Sequence, residues 1–190
     1  MVTALDKNTA LVLIDLQKGI VGYPVVHPIE GIIANAVKLV TAFRKAGLPI
    51  VLVNVNPAGA KWMTARKDSN QTPRAPFKED WLDIIPEIKT APTDIFITKH
   101  TWGAFFETAL DEELKKRNVT GIVLGGVSTS AGVEGTARQA SERGYNITFA
   151  KDAMTDMLAD AHEHSLKNIF PRIGETDEAD KIIEKLMQSV

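Results

Sequence analysis

The feature that most constrains the fold of this chain is an alternation between short apolar runs and segments of helical periodicity. The apolar runs are rich in β-branched residues and span residues 10–14, 50–55, 95–98, 120–124 and 146–150. Strands that are apolar on both faces are typical of a parallel sheet covered by helices on both sides. The sequence therefore predicts an α/β fold, a three-layer α/β/α sandwich with a mostly parallel, Rossmann-like six-stranded sheet.

The segments between these runs carry the helical pattern. The clearest, residues 29–46, places its apolar side chains on one stripe and is followed by Gly47 and Pro49, residue types that end helices. We also expect helices at 108–117, 131–143, 158–170 and 177–187. The long interruption is a proline-rich connection at 56–92, where a short helix is expected at 81–85. No linker divides the chain, so residues 1–190 are expected to form a single domain.

Composition and charge exclude several classes of protein. The formal net charge is −2 and no long run of like charges occurs, which argues against nucleic-acid and anionic-membrane partners. No apolar stretch approaches the roughly 18 residues of a membrane span, and charged residues near the start argue against a secretory signal. The chain has no cysteine, which removes disulfides, thiolate metal sites and thiol catalysis. A cytoplasmic location is expected.

Polar residues at three predicted strand ends mark a candidate site. Ligands of open parallel sheets bind beyond the carboxyl ends of the strands. Asp15 follows the first strand, with Gln17 just after it, and Lys99 follows the strand at 95–98. The strand at 120–124 leads into the sequence GGVSTSAGVEGTAR at 125–138, whose backbone N–H groups can hold a carboxylate or an oxyanion. An acid, a base and a cradle of donors are therefore predicted at one edge of the sheet.

Each of these residues also has a purely structural interpretation. A carboxylate after four apolar residues is costly when unpaired. From its position alone, a structural role for Asp15, as a helix cap or as the partner of Lys99, is about as well supported as a catalytic role. Lys99 is also explained as part of a solvated loop, although the sequence WGAF at 102–105 indicates an ordered turn. The hydroxyls at 128–130 have no histidine near them in sequence and depart from the Gly-x-Ser-x-Gly elbow. They are expected to hydrogen-bond the loop.

Other residue types near the predicted site carry weaker signals. Arg66 and Arg74, in the long connection, are candidates to clamp an anionic substrate, although most such arginines are only solvated. The three tryptophans are as consistent with a pocket lining as with a core position.

Two histidines, His162 and His164, flank Glu163 and resemble a metal site at first sight. Side chains two positions apart on a helix point away from each other. Both histidines are therefore expected to be exposed or to cap the helix, and not to bind a metal.

Several short motifs, in this order and spacing, resemble the isochorismatase-like hydrolases, a family that includes nicotinamidases, other amidohydrolases and isochorismatases. The matching sequences are LIDLQ at 13–17, ITK at 97–99, GAF at 103–105, GVST at 126–129, VEGTAR at 133–138, GY at 144–145 and DA at 152–153. Together they span about residues 10–160. The resemblance implies a hydrolase that acts on a small molecule, needs no cofactor and forms a homo-oligomer.

The catalytic residues of the family map onto this chain with one change. In cysteine-bearing members an aspartate, a lysine and the cysteine form the catalytic trio. The resemblance places these roles at Asp15, at Lys99 and at Gly132, where glycine replaces the nucleophile. It also implies oxyanion-hole donors near Ser128 and Gly132, and a cis peptide bond between Val127 and Ser128. The residues expected to contact the substrate are Gln17, Phe105, Val127, Ser128, Thr129, Arg66 and Arg74.

The resemblance also indicates whether a catalytic metal site is expected. Nicotinamidases carry a metal site of acidic and histidine ligands after the second strand. Residues 53–57 of this chain contain no histidine, so no catalytic metal is expected.

Glycine at position 132 leaves the usual thioester chemistry without support and resembles the true isochorismatases, which also have glycine there. Their reaction protonates a vinyl ether carbon, water captures the oxocarbenium ion, and the hemiketal releases pyruvate. Under this hypothesis Asp15 is the general acid, and Lys99 holds a substrate carboxylate or orients Asp15. Asp15 would then need a raised pKa, whereas a nearby Lys99 lowers it.

Two further interpretations remain open at this point. The chain could be a non-catalytic protein that binds a small molecule in a pocket inherited from a cysteine amidohydrolase. Alternatively, Gly132 could be an engineered replacement for cysteine, made to trap a substrate.

Overall fold

A computed structural model describes residues 1–68 and 77–189 of the chain. Its centre is a sheet of six parallel strands in the order β3-β2-β1-β4-β5-β6. The strands are β1 (Thr9–Ile14), β2 (Ile50–Val55), β3 (Ile95–Lys99), β4 (Gly121–Val127), β5 (Asn146–Thr155) and β6 (Glu175–Asp177). The helices are α1 (Lys18–Val21), α2 (Ile29–Lys45), α3 (Leu110–Lys115), α4 (Glu134–Glu142), α5 (Ala159–His164) and α6 (Ala179–Ser189). The predicted α/β architecture is confirmed.

Helices cover both faces of the sheet because its strands are apolar on both faces. Along β1, Leu11 and Leu13 pack with α2 and α6, whereas Val12 and Ile14 pack with α3 and α4 on the opposite face. All six residues of β1 are buried. This period-two alternation buries two apolar layers on one strand, as expected for the middle of a parallel sheet.

The long connection departs from the sequence-based expectation. The predicted helix at 81–85 is wrong, since residues 79–82 form turns and a 3₁₀ segment, Pro86–Ile88, follows. The backbone bonds here run to the segment after β1 and not along a helix. Ile85 donates its N–H to the carbonyl of Leu16 at 3.1 Å, and Lys18 donates to Asp83 at 2.9 Å. Hydrogen bonds to the segment after β1 therefore determine the backbone conformation here, and the local helical pattern does not.

The carboxyl-terminal part also differs in its boundaries. β5 continues past the predicted end at residue 150 to Thr155, and β6 is a short polar strand with no apolar pattern. The last helix begins at Ala179, because Asp177 belongs to β6. Within the described ranges, no helix combines the length and the apolar character needed to cross a membrane.

The strand order brings the predicted site residues together. β1 lies between β2 and β4, and Ile14 is in register with Gly126 of β4. Gly126 has a φ of +120°, and a Cβ at this position would overlap the carbonyl oxygen of Ile14. Glycine is therefore required for β4 to pass this close to β1. The chain after each of these strands emerges at one edge of the sheet.

Candidate active site

An ion pair between Asp15 and Lys99 lies at the centre of this edge. Lys99 Nζ is 2.8 Å from Asp15 Oδ2 and also donates to the carbonyl of Thr101 at 3.1 Å. Asp15 is 5% exposed and Lys99 is 2% exposed. Asp15 has a φ of +52°, and its backbone N–H donates to the carbonyl of Val53 on β2 at 2.8 Å. The two predicted catalytic side chains thus meet, although each comes from a different strand.

The protonation of Asp15 is set by two opposing effects. Burial raises the pKa of Asp15 to about 6, and the charge and hydrogen bond of Lys99 oppose this rise without cancelling it. Asp15 Oδ1 is buried and accepts no hydrogen bond from the described residues. The carboxyl group is therefore about half protonated near pH 6 and mostly ionised at pH 7. Burial outweighs Lys99 in setting this pKa, and the acid form is favoured below about pH 6.

Gly132 lies directly beside this ion pair. A Cβ at position 132 would be 3.3 Å from Asp15 Oδ2, 3.4 Å from Lys99 Nζ and 2.8 Å from Cγ2 of Ile14. Gly132 is part of a single π-helical turn, Thr129–Val133, which leads into α4. The peptide bond between Val127 and Ser128 is cis, which confirms that prediction. The structure thus places position 132 next to Asp15 and Lys99, but with no side chain there.

A cavity of about 280 Å³ opens over these residues. We call Asp15, Lys99, Ser128 and Gly132 the polar floor, and Trp62, Phe77, Trp81 and Trp102 the aromatic wall. The rest of the lining is mostly apolar and consists of Ile20, Val55, Pro57, Met63, Thr101, Val127, Ala131 and Met157. Lys99 is the one basic side chain among the described lining residues. A mostly apolar cavity with a few convergent polar groups is typical of a small-molecule site.

Gln17 holds the aromatic wall and does not line the cavity. Its side-chain amide donates to the carbonyls of Val55 at 3.1 Å and Trp81 at 3.0 Å, and its Oε1 accepts the N–H of Val55 at 2.6 Å. The indole N–H of Trp81 also donates to the carbonyl of Val55, at 3.2 Å. A Cβ on Gly19 would overlap the indole ring of Trp81. The residue predicted to contact a substrate therefore anchors a residue that lines the cavity.

Of the other residues predicted to contact a substrate, some line the cavity and others do not. Val127 and Ser128 line the cavity. Phe105 is buried in the core, with its ring 5.8 Å from that of Tyr145. Thr129 is fully buried and does not line the cavity. Arg66 is exposed and is not among the lining residues, and Arg74 lies outside the described residues.

The expectation that His162 is exposed is wrong. His162 is 4% exposed, its Nδ1 shares a hydrogen bond of 2.8 Å with the hydroxyl of Thr129, and its ring lies 4.7 Å from that of His27. Burial and the neighbouring His27 lower its pKa. His164 is exposed, as expected. Among the described residues, no three or more histidine or acidic side chains are grouped so that they could hold a metal ion.

Sequence reasoning missed Asp156, which supports the loop after β4. Asp156 is 3% exposed, and its Oδ2 accepts the N–H of Ser130 at 2.7 Å. Its Oδ1 accepts the N–H groups of Met157 at 2.8 Å and Leu158 at 3.3 Å. Because β5 extends beyond its predicted end, Asp156 reaches the site edge of the sheet. A second acidic residue four positions after Asp152 of the DA motif was the available signal.

Comparisons with known proteins agree with the family resemblance and with the fold. Residues 9–180 match the isochorismatase domain family. The isochorismatase family protein YwoC of Bacillus subtilis is 41% identical over 185 residues, which cover 95% of each chain. An isochorismatase family protein from Burkholderia thailandensis has a solved structure with a TM-score of 0.90 and 35% identity, covering 98% of this chain and 100% of that one. Ureidoacrylate amidohydrolase RutB of Variovorax paradoxus is 24% identical over 200 residues, covering 90% of this chain and 79% of RutB.

Proposed function

This chain belongs to the isochorismatase family, whose members are hydrolases, and we propose that it hydrolyses a small anionic metabolite without a protein nucleophile. The observation that carries this proposal is Asp15. Its pKa is raised to about 6 by burial, its Oδ1 is unpartnered among the described residues, and it lies beside the side-chain-free position 132. This arrangement favours proton donation over nucleophilic attack.

An isochorismate-type vinyl ether is the candidate substrate. Asp15 would give its proton to the terminal vinyl carbon, and the double-bond electrons would form the new C–H bond. The resulting oxocarbenium ion would take up water, which loses a proton to the Asp15 carboxylate. The hemiketal would then collapse: its hydroxyl loses a proton as the carbonyl of pyruvate forms, the bond to the oxygen borne by the ring breaks, and that oxygen takes up a proton to give the alcohol. No step requires a side chain at position 132.

Lys99 would hold the negative charge of the substrate. When Asp15 carries its proton, the charge of Lys99 has no counter-charge in the floor, so a substrate carboxylate can replace it. The loop from Val127 to Gly132 would bind the polar centre with its backbone N–H groups, and the aromatic wall would pack against a ring. Arg66 and Arg74 stay predictions as further contacts to an anion.

The direct test is to mix the purified protein with isochorismate and to follow pyruvate release in the wild type and in Asp15→Asn. We expect release to fall by about 10²- to 10⁴-fold in Asp15→Asn and to be unchanged in Asp160→Asn, which alters an exposed aspartate on α5. Because the acid form is the active one, the wild-type rate should fall as the pH rises through about 6. Release that is equal in the wild type and in Asp15→Asn would contradict the proposal.

A second candidate function is binding without catalysis. It is favoured by the combination of a well-formed cavity with glycine at position 132, where the resemblance places the family's nucleophile. Isochorismate binding measured by calorimetry, with no pyruvate released, would support it over hydrolysis. The third interpretation is that Gly132 is an engineered replacement of cysteine. Amidase activity gained by Gly132→Cys would support that interpretation.

We also propose that residues 1–190 form one domain that assembles with copies of itself in the cytoplasm. Exposed apolar side chains support self-association, since Phe96 on the edge strand β3 is 56% exposed and Leu158 is 67% exposed. Sedimentation velocity would give the state of assembly. A monomer at all concentrations would contradict that part of the proposal.

A further inference from the structure

A buried hydroxyl joins two separate segments of the candidate site. Thr136, in the first turn of α4, is 0% exposed. Its Oγ1 donates to the carbonyl of Gly132 at 2.7 Å and accepts the backbone N–H of Ala104 at 3.0 Å. One segment carries position 132 and the other carries Thr101 and Trp102, so the hydroxyl links the floor to the loop that follows β3.

A hydrogen bond that is common in helices explains one of the two bonds of Thr136. Threonines in helices often donate back to the carbonyl four residues earlier, which accounts for the bond to Gly132. The bond from Ala104 is different, because it spans 32 residues in sequence and provides the buried N–H of Ala104 with its partner among the described residues. Both the donor and an acceptor site of the hydroxyl are therefore in use.

The loop and α4 approach each other closely at the same place. A Cβ on Gly135 would be 3.2 Å from the backbone nitrogen of Gly103, and a Cβ on Gly103 would overlap the side-chain amide of Gln139. Gln139 Oε1 accepts the N–H of Phe105 at 3.0 Å. Small residues on both sides thus let the backbone of the loop rest on the helix, with Thr136 at the contact.

We propose that Thr136 is a positioning residue, whose hydroxyl sets the separation between position 132 and the loop that carries Thr101 and Trp102. The loop in turn positions Lys99, since Lys99 Nζ donates to the carbonyl of Thr101 at 3.1 Å. Thr136 is not among the residues that line the cavity, so it acts only through these neighbours. The inference rests on the proposed function only in taking Asp15, Lys99 and position 132 as the site.

The test uses a thiol as a probe of position 132 and needs no substrate. Because the chain has no cysteine, Gly132→Cys introduces a single thiol, whose Cβ would be 3.4 Å from Lys99 Nζ. The rate of alkylation by iodoacetamide against pH reports the pKa of that thiol, since the thiolate is the reactive form. Thr136→Val, which keeps the shape but removes the hydroxyl, and Thr136→Ser, which keeps the hydroxyl, are added to this background.

We expect Thr136→Val to move the alkylation profile by at least about half a pH unit towards the ordinary thiol value of about 8.5, a change of roughly threefold in rate on the rising limb. Thr136→Ser should restore the original profile. Thr148→Val is the matched control, because Thr148 is buried in β5 at the opposite end of the sheet. If Thr136→Val shifts the profile no more than Thr148→Val does, the inference is wrong.

Two further comparisons keep the test decisive. If Thr136→Val does not fold, Thr136→Ala takes its place, and a serine variant no better than the alanine variant would overturn the role of the hydroxyl. Failure of the proposed hydrolysis appears separately, as absence of pyruvate release by the protein with Gly132 intact. The thiol measurement does not depend on that result.

Discussion

The polar floor and the aromatic wall of the cavity are built in different ways. Asp15 directly follows β1, Lys99 is the last residue of β3, and Gly132 lies in the turn that leads into α4. The two charged groups are almost fully buried. The wall comes largely from the connection between β2 and β3, where Trp81 is held by bonds to Gln17 and Val55. The floor is therefore fixed by the sheet itself, whereas the wall depends on a few anchoring atoms, so substitutions in the two regions should have different consequences.

The largest effect is expected where the floor meets the sheet. Gly126→Ala should lower the free energy of unfolding by more than about 4 kcal/mol, because its Cβ would overlap the carbonyl oxygen of Ile14 at a φ of +120°. Gly144→Ala is the control, since its φ is +81° but nothing lies within 4 Å of the added Cβ, and it should cost about 1–2 kcal/mol. Urea unfolding measures both, and equal losses would show that the close approach of β1 and β4 is not tightly constrained.

The second prediction concerns the acid of the floor. The pKa of Asp15 is raised in the folded state to about 6, so the folded chain binds the proton more tightly than the unfolded chain. Stability from this group is present below about pH 4 and is lost as the pH rises through about 6, by on the order of 3 kcal/mol. Unfolding measured from pH 4 to 8 should show this slope in the wild type and in Asp160→Asn, but not in Asp15→Asn. A slope that persists in Asp15→Asn would assign it to other groups.

The third prediction tests the anchor of the wall. Gln17→Met keeps the size of the side chain but removes its bonds to Val55 and Trp81, which should cost about 1.5 kcal/mol in unfolding free energy. Under the proposed function it should also raise the KM for isochorismate more than it lowers kcat. Asn54→Leu is the comparison, since it removes one bond of 2.9 Å to the carbonyl of Leu82 in the same segment, and its effect should be smaller. Equal effects would mean that Gln17 has no special role as an anchor.

The smallest effect on stability is expected at the rim of the wall. Trp102 is 56% exposed, so Trp102→Ala should change the unfolding free energy by less than about 0.5 kcal/mol. Because the indole lines the cavity, the same change should, under the proposed function, still raise the KM for isochorismate. A thermal melt together with steady-state kinetics separates the two effects. A large loss of stability would contradict this prediction and would show that Trp102, like the floor, contributes to the stability of the fold.

Sequence patterns predicted the floor better than the wall. Asp15 and Lys99 follow strands with continuous apolar runs, and the rule that parallel strands end at one edge is enough to bring them together. The aromatic wall was harder to predict from the sequence, because the placement of Trp81 depends on hydrogen bonds to residues far away in sequence. The same reason explains why the helix expected at 81–85 does not form and why Gln17 anchors the wall without lining the cavity.

Local sequence patterns also could not predict which polar side chains are buried. His162 follows a helical periodicity that does not distinguish an exposed ring from one paired with Thr129. β6 is made of three partly buried polar residues, and its pairing with β5 is decided by the neighbouring strand. Phe105, Asp156 and Thr136 each also bond a residue far away in sequence, namely Gln139, Ser130 and Ala104, and local patterns cannot predict such bonds.

The composition of the cavity has a consequence for oxidative damage. The floor contains no sulfur, because glycine stands at position 132 and the chain has no cysteine. Two methionines, Met63 and Met157, lie in the lining, and Met157 is 41% exposed. Peroxide would convert such thioethers to polar sulfoxides, while the carboxyl and ammonium groups would be untouched. An oxidant should therefore change the fit of a bound molecule and leave the acid and its lysine partner intact.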